Sequence, residues 1–278
     1  MAVIYGVTMQ GSLFHLAFVG CLVGIPLAAL GCSKSEDAPK LAASASSLAV
    51  EKPPPTAMVT KFAIATDGKT HIDGPAPAEH LKGDTSASAG SLDVDLMNLA
   101  NTRGEVKIDL ASLKTHTFDA DPQDSKQTKD AAGWLEVGDA VSADVREANR
   151  WAVYSIRSID GLSATDVTKV PSVKQGADDV RVVTLTSHGE LLLHGHKADK
   201  VVPLEARFHF ASGAAADARP SSVEIVTKSP LKITIAEHDV KPRDNLGKLA
   251  KRAFGLLGTK VADVLDVTFE LRATPQQQ

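Results

Sequence analysis

Cysteine is nearly absent from this 278-residue chain: there are two, Cys21 and Cys32, and both stand within the first 32 residues. The remainder has no disulfide framework, no cysteine zinc site and no thiol nucleophile, so its stability must come from a buried core. The same 32 residues contain no Lys, Arg, Asp or Glu, so the net charge of −4, from 30 basic and 34 acidic residues, belongs wholly to residues 33–278. So mild an acidic balance argues against a nucleic-acid partner, which requires a clustered basic face. There is no Gly-x-Ser-x-Gly elbow, no His-Glu-x-x-His, no P-loop and no dinucleotide glycine fingerprint. Serines are abundant, but none sits where a base would activate it. A hydrolase has the least support, and the chain is read as a non-enzyme.

The apolar stretch Leu13 to Leu30 is about long enough to cross a bilayer. It ends in Ala29-Leu30-Gly31-Cys32 and switches at once to Ser33-Lys34-Ser35-Glu36-Asp37, which suits cleavage better than a stop-transfer anchor. The segment resembles bacterial lipoprotein signals, whose lipobox closes on a small residue before the lipidated cysteine, here Gly31-Cys32. The resemblance implies a signal peptide over 1–31, lipidation at Cys32 and a periplasm-facing, membrane-tethered product in the cell envelope. Ser33 stands where an Asp holds enteric lipoproteins at the inner membrane, so the analogy favours the outer one. An uncleaved membrane anchor, and a start misassigned upstream of Met9, are the alternative readings. Residues 32–57, rich in Ser, Ala, Lys, Glu and Pro, with Pro53-Pro54-Pro55 near the end, read as a disordered tether. Residues 58–274 read as one domain, with Ala211 to Ala218 as an internal loop.

Within that domain, Val, Ile, Leu and Thr alternate with polar residues at period two, the signature of antiparallel strands. Leu92, Val94 and Leu96 pair as a hairpin with Val106, Ile108 and Leu110, setting Leu96 opposite Val106 and Asp95 opposite Lys107. A second hairpin spans Ser187 to Phe210. With its turn at Ala198-Asp199, facing residue numbers sum to about 397, so Leu193 meets Leu204, Leu191 meets Ala206 and Glu190 meets Arg207. Further strands are expected at Val141 to Val145, Trp151 to Ile159, Val180 to Thr186, Val223 to Val226, Leu231 to Ala236 and Val261 to Leu271. Two helices are expected, Ser125 to Leu135 and Asp244 to Leu257, the latter with Lys248, Lys251 and Arg252 opposite its apolar face. So many strands, each polar on one face only, must bury the other in a sandwich or in a closed barrel.

Several segments, in order, resemble the YceI-like family of exported bacterial proteins. They are Gly104-Glu105-Val106-Lys107-Ile108-Asp109-Leu110-Ala111-Ser112-Leu113-Lys114-Thr115, then Gly189-Glu190-Leu191-Leu192-Leu193-His194-Gly195 through Val201-Val202-Pro203-Leu204, then Ile235 to Asp239 with Val261 to Leu271. The resemblance implies an all-β, antiparallel, lipocalin-like barrel with one or two short helices, enclosing a polyisoprenoid or similar amphiphile, without any other cofactor, and plausible as a homodimer. On that reading the apolar faces supply the lining: Val94, Ile108, Leu191, Leu193, Leu204, Phe208, Ile233, Ile235, Val267 and Phe269, with Trp134, Trp151, Tyr154 and Phe254 near the ends. The same residues would also serve a solidly packed barrel acting as a protein-interaction module, because alternation is identical in both.

Histidines are the other chemical signal. In the register above, His188 lies directly opposite His209 on the face carrying Glu190, Glu205 and Arg207. A His pair beside a carboxylate suits zinc, but the spacing matches no zinc signature, so exposed strand histidines are expected and no metal. Glu237-His238-Asp239 reads as a strand end, since successive strand residues point to opposite faces. The acidic run Asp119 to Asp124 lacks EF-hand spacing and reads as a solvated loop.

Overall fold

The computed structural model of the chain describes Thr56 and residues 58–76, 80–241 and 262–276. The leader, Cys32, most of the tether, and the expected helix Asp244 to Leu257 with its Phe254 lie outside the described residues. Among the described residues no helix is long and apolar enough to cross a membrane.

The period-two segments form strands β1 (Val59–Ile64), β2 (Lys69–Gly74), β3 (Leu81–Thr85), β4 (Ser88–Asp95), β5 (Arg103–Asp109) and β6 (Lys114–Thr115). Beyond two helices, α1 (Asp121–Trp134) and α2 (Ala143–Asn149), come β7 (Trp151–Asp160), β8 (Val173–Gln175), β9 (Asp178–Leu193), β10 (His196–Ala211), β11 (Ser222–Thr227), β12 (Leu231–Thr234) and β13 (Val264–Pro275). All pairings are antiparallel, and they run β1-β4-β5-β7-β9-β10-β11-β13 before β13 returns to β1 through Phe62↔Pro275 and Ile64↔Ala273. The result is an eight-stranded, up-and-down barrel. The shorter strands are continuations of its staves: β2 carries β1 along β13, β3 carries β4 along β2, and β12 carries β11 along β13. An antiparallel sheet with one apolar face removes its edges by closing, and eight strands leave an interior just wide enough for side chains or one small ligand.

The two hairpins expected from the sequence form with the right faces and different registers. β9 and β10 turn at His194-Gly195, with φ of 49° and 74°, not at Ala198-Asp199. Two consecutive left-handed residues make the turn whose twist matches that of the strands, and glycine accepts that geometry without cost. Leu193 therefore faces His196, Leu204 faces Leu185, and Ala206 faces Val183, so facing numbers sum to 389 rather than 397. Because that difference is even, every side chain stays on its expected face while changing partner. Glu190 faces Asp199 instead of Arg207, and its charge is met by Lys197 at 2.8 Å and by Arg157. Arg157 stands at an irregularity in the β7–β9 ladder that aims it at this pair.

In the first hairpin Val106 faces Gly90 and Lys107 faces Ala89, not Leu96 and Asp95. The reason is a turn centred three residues earlier in the chain. The Asp95 carboxylate accepts hydrogen bonds from the backbone N–H of Met97 and Asn98 and from Asn101 Nδ2, folding 95–102 into a compact turn that buries Leu96 and Leu99. The expected strand Val141 to Val145 does not form; Ser142 precedes α2 instead, since valines four apart suit a helix face as readily as a strand.

That first turn closes one end of the barrel. Leu99 N–H donates to Thr165 O and Val167 N–H to Leu96 O, seating three buried aliphatic side chains across the opening. Beneath them Arg181 points inward, its guanidinium 4.2 Å from the Phe210 ring centroid and donating to the Val167 and Ala216 carbonyls. At the opposite end lie the β9–β10 turn, β12, β6 and the helices.

Candidate ligand-binding cavity

Between the plug and the β9–β10 turn the barrel is hollow. The cavity measures about 150 Å³ and draws its wall from every stave. Ile108 and Val106 come from β5, Ala152, Tyr154 and Ile156 from β7, and Leu191 and Leu193 from β9. Val202 and Leu204 follow on β10, Ile225, Leu231 and Ile233 on β11 and β12, and Leu265, Val267, Phe269 and Leu271 on β13. Thr70, Ile72, Thr85 and Leu92 complete the circle. A smaller void of about 50 Å³ lies nearer the plug and includes Val94 and Phe208 in its wall.

Among the described residues of the wall, Tyr154 supplies the one phenol. Its hydroxyl lies 3.1 Å from both the backbone oxygen and the Oγ of Ser187, so the polar tip is tied to the wall. Burial raises its pKa above the ordinary tyrosine value, against the opposing hydrogen bond with Ser187, and the group stays neutral near pH 7. The ring has room because residue 189 is glycine: a β-carbon there would sit 2.5 Å from Tyr154 Cζ. An apolar chamber of this kind favours a hydrocarbon over water.

Of the residues expected to line a lumen, Ile108, Tyr154, Leu191, Leu193, Leu204, Ile233, Val267 and Phe269 meet in the main cavity, and Val94 and Phe208 in the smaller one. Three do not. Trp151 has the opposite parity to Ala152, Tyr154 and Ile156 and stacks under the Arg150 guanidinium, 5.0 Å from its centre; an alternating strand cannot turn both sets inward. Trp134 ends α1 and packs on a separate small cluster of Leu81, Leu113 and Ala131. Ile235 follows β12 in a 3-10 turn, where strand alternation has stopped. Sequence reasoning passed over Ala152 and Ile156, although they share the parity of Tyr154, and over the β2–β3 wall of Thr70, Ile72 and Thr85, where lysine, histidine and glycine interrupt the apolar run.

The histidines do not assemble as the first register implied. His188 faces Val201 and lies 2.9 Å from Asp160, while His209 faces Val180 and lies 3.2 Å from Asp178. His194, His196 and His238 gather instead at the β9–β10 turn. Among the described residues no group of three or more His, Cys, Asp or Glu side chains is arranged to hold a metal ion.

No family model and no curated protein matches the chain. Solved structures similar to it include the following two. One is a polyisoprenoid binding domain from Saccharophagus degradans implicated in plant cell wall breakdown, at 14% identity and a TM-score of 0.45, covering 79% of this chain and 100% of that one. The other is BcnA from Burkholderia cenocepacia, at 16% identity and a TM-score of 0.44, covering 74% of this chain and 96% of that one. At such values these are likenesses alone, and the all-β, antiparallel barrel rests on its own strand ladders.

Proposed function

We propose that this protein is a binding protein that holds the hydrocarbon tail of an isoprenoid-like lipid inside the barrel and carries it in the cell envelope without altering it chemically. The observation that carries the reading is the enclosed cavity of about 150 Å³ with an apolar wall drawn from every stave. A void of about that size lined by Leu, Ile and Phe stays dry and takes up benzene. Each Å² of hydrocarbon that leaves water for such a wall contributes roughly 25 cal/mol. The cavity as it stands accepts one short segment of a tail, and a long polyisoprenoid requires wall side chains to repack around it. The sequence resemblance to YceI-like proteins supplies the ligand class. Lipidation at Cys32 would hold the barrel beside the outer membrane, and a homodimer is consistent with the same resemblance.

The test is native mass spectrometry and solvent extraction of the purified chain. A stoichiometric co-purifying lipid, or saturable uptake of an added isoprenoid, is the expected result. Repeated ligand-free preparations that also refuse isoprenoids would leave a protein-interaction module as the better account.

A further inference from the structure

The barrel wall has a seam. The ladder between β10 and β11 runs from His209↔Ser222 to Leu204↔Thr227 and ends where Lys228 N–H donates to Pro203 O. Beyond that rung β12 pairs only with β13, while the half of β10 from His196 to Pro203 pairs only with β9. Both lips of the seam line the cavity, through Val202 on β10 and Leu231 and Ile233 on β12. Among the described residues, what holds the lips together is side-chain chemistry around the turn that follows β12.

His238, fully buried, is the centre of it. Its Nδ1 lies 3.1 Å from the His196 carbonyl, and the His238 carbonyl lies 3.1 Å from Nδ1 of His194. Lys200 Nζ on β10 reaches the Glu237 carboxylate at 2.6 Å. We propose that this seam is the gate through which a lipid tail passes, and that His238 is its acid-sensitive latch; the inference rests on the tail-binding reading above.

The chemistry of the latch follows from the geometry. With the Nδ1 proton donated to the His196 carbonyl, Nε2 carries a lone pair, and it is buried without a hydrogen-bond partner. A proton placed there would create a buried cation, which the Leu193 backbone favours only weakly against the cost of burial. The charged groups facing it are the Lys200 ammonium from β10, which opposes protonation, and the Glu237 carboxylate of its own turn, which favours it less strongly. His194, His196 and Asp239 surround the site, with Glu136 3.3 Å from His194 and Lys241 2.6 Å from Asp239. Burial is the largest influence and holds the His238 pKa below the ordinary histidine value. When the seam parts and water enters, that ring regains its ordinary affinity for protons. As pH falls below about 6.5, the open form therefore binds a proton that the closed form refuses, and the equilibrium moves toward opening. Above that pH both forms are neutral and the latch holds.

The experiment follows uptake and release of N-phenyl-1-naphthylamine by stopped-flow fluorescence on the whole chain, between about pH 7.5 and about pH 5.5. Hydrogen exchange of the amides from Leu231 to Val240, corrected for intrinsic rates, is measured in parallel. Both rates rise several-fold toward acid in the natural protein, equilibrium affinity changes less, and protection of Leu231 to Val240 falls. His238→Asn, which keeps an N–H for the His196 carbonyl but cannot titrate, shows flat rates. Glu237→Gln, which leaves His238 in place, is faster at neutral pH. Rates and protection indifferent to pH, or the same acid response in His238→Asn, would overturn the gate. Should no variant take up the probe, the tail-binding reading fails, and acid-independent exchange across the seam would then separately dismiss the latch.

Discussion

Filling the chamber is the sharpest test of its being there. Ala152, on β7, faces Ile108 across the ladder and contributes the smallest apolar side chain to the wall. Buried voids cost about 24 cal/mol per Å³ in core truncation series, so a void of about 150 Å³ left empty costs on the order of 3.6 kcal/mol. Ala152→Leu adds three carbons to the chamber. At about 0.8 kcal/mol per buried carbon it recovers roughly 2 kcal/mol if the leucine finds a relaxed rotamer. For a domain of this size each kcal/mol moves Tm by about 2–4 °C, so calorimetry should register a rise of about 4–8 °C. Uptake of an apolar probe should weaken in the same variant, because both compete for one volume. A fall in Tm with undiminished uptake would refute the reasoning, since it would mean that this position packs against solid protein and that ligand binds elsewhere.

Three further outcomes are expected from features at the two ends and the middle of the barrel. Arg181→Ala removes a desolvated stack on Phe210 and two bonds to carbonyls, of which Val167 O keeps the Val170 N–H; urea unfolding should show a loss of about 2–3 kcal/mol with probe affinity little changed. Gly189→Ala should part the β7–β9 ladder and displace the Tyr154 ring, seen as a lower Tm, a shift in tyrosine fluorescence and weaker uptake, because the added carbon would collide with the Ser155 backbone oxygen and approach Cζ to 2.5 Å. Burial would raise the pKa of Asp95, yet hydrogen bonds from Thr56, Asn101 and Asn98 outweigh it and hold the carboxyl below the ordinary value of 3.8. Its stabilising share is complete above that value and disappears as pH falls through the lower folded value, so acid unfolding of Asp95→Asn should be less steep there than that of the natural protein.

What could be read from the residues was the face, and what could not was the partner. The alternation of Leu191 and Leu193 with Glu190 and Leu192 fixes which side chains enter the barrel whatever the register, because pleating has a period of two. The partner depends on where the chain turns, and the turn depends on backbone conformation at one or two residues. Lys197-Ala198-Asp199-Lys200 has the polarity of a loop, but His194-Gly195 has the left-handed dihedrals. Polarity is the weaker signal there, since exposed strand positions are polar too. The same limit explains the site. Ile108, Tyr154, Leu204 and Val267 were legible as inward residues, whereas the size of Trp151 suggests a lining role that the parity of its own strand forbids. The volume of the chamber was not legible at all: it is the difference between the girth of eight staves and the side chains that fill it, and no local pattern encodes a difference of that kind.

The pairing of β1 with β13 has a consequence for how the molecule comes into being. The stave that seals the ring leaves the ribosome after the other seven, so until it is made the sheet carries two raw edges and a wet interior. Loss of Val264–Pro275 would thus not trim the barrel but unroll it. Until that last stave arrives, the chain has an apolar face with nothing to enclose, which makes the nascent form adhesive and places a premium on a chaperone that keeps it apart from its siblings.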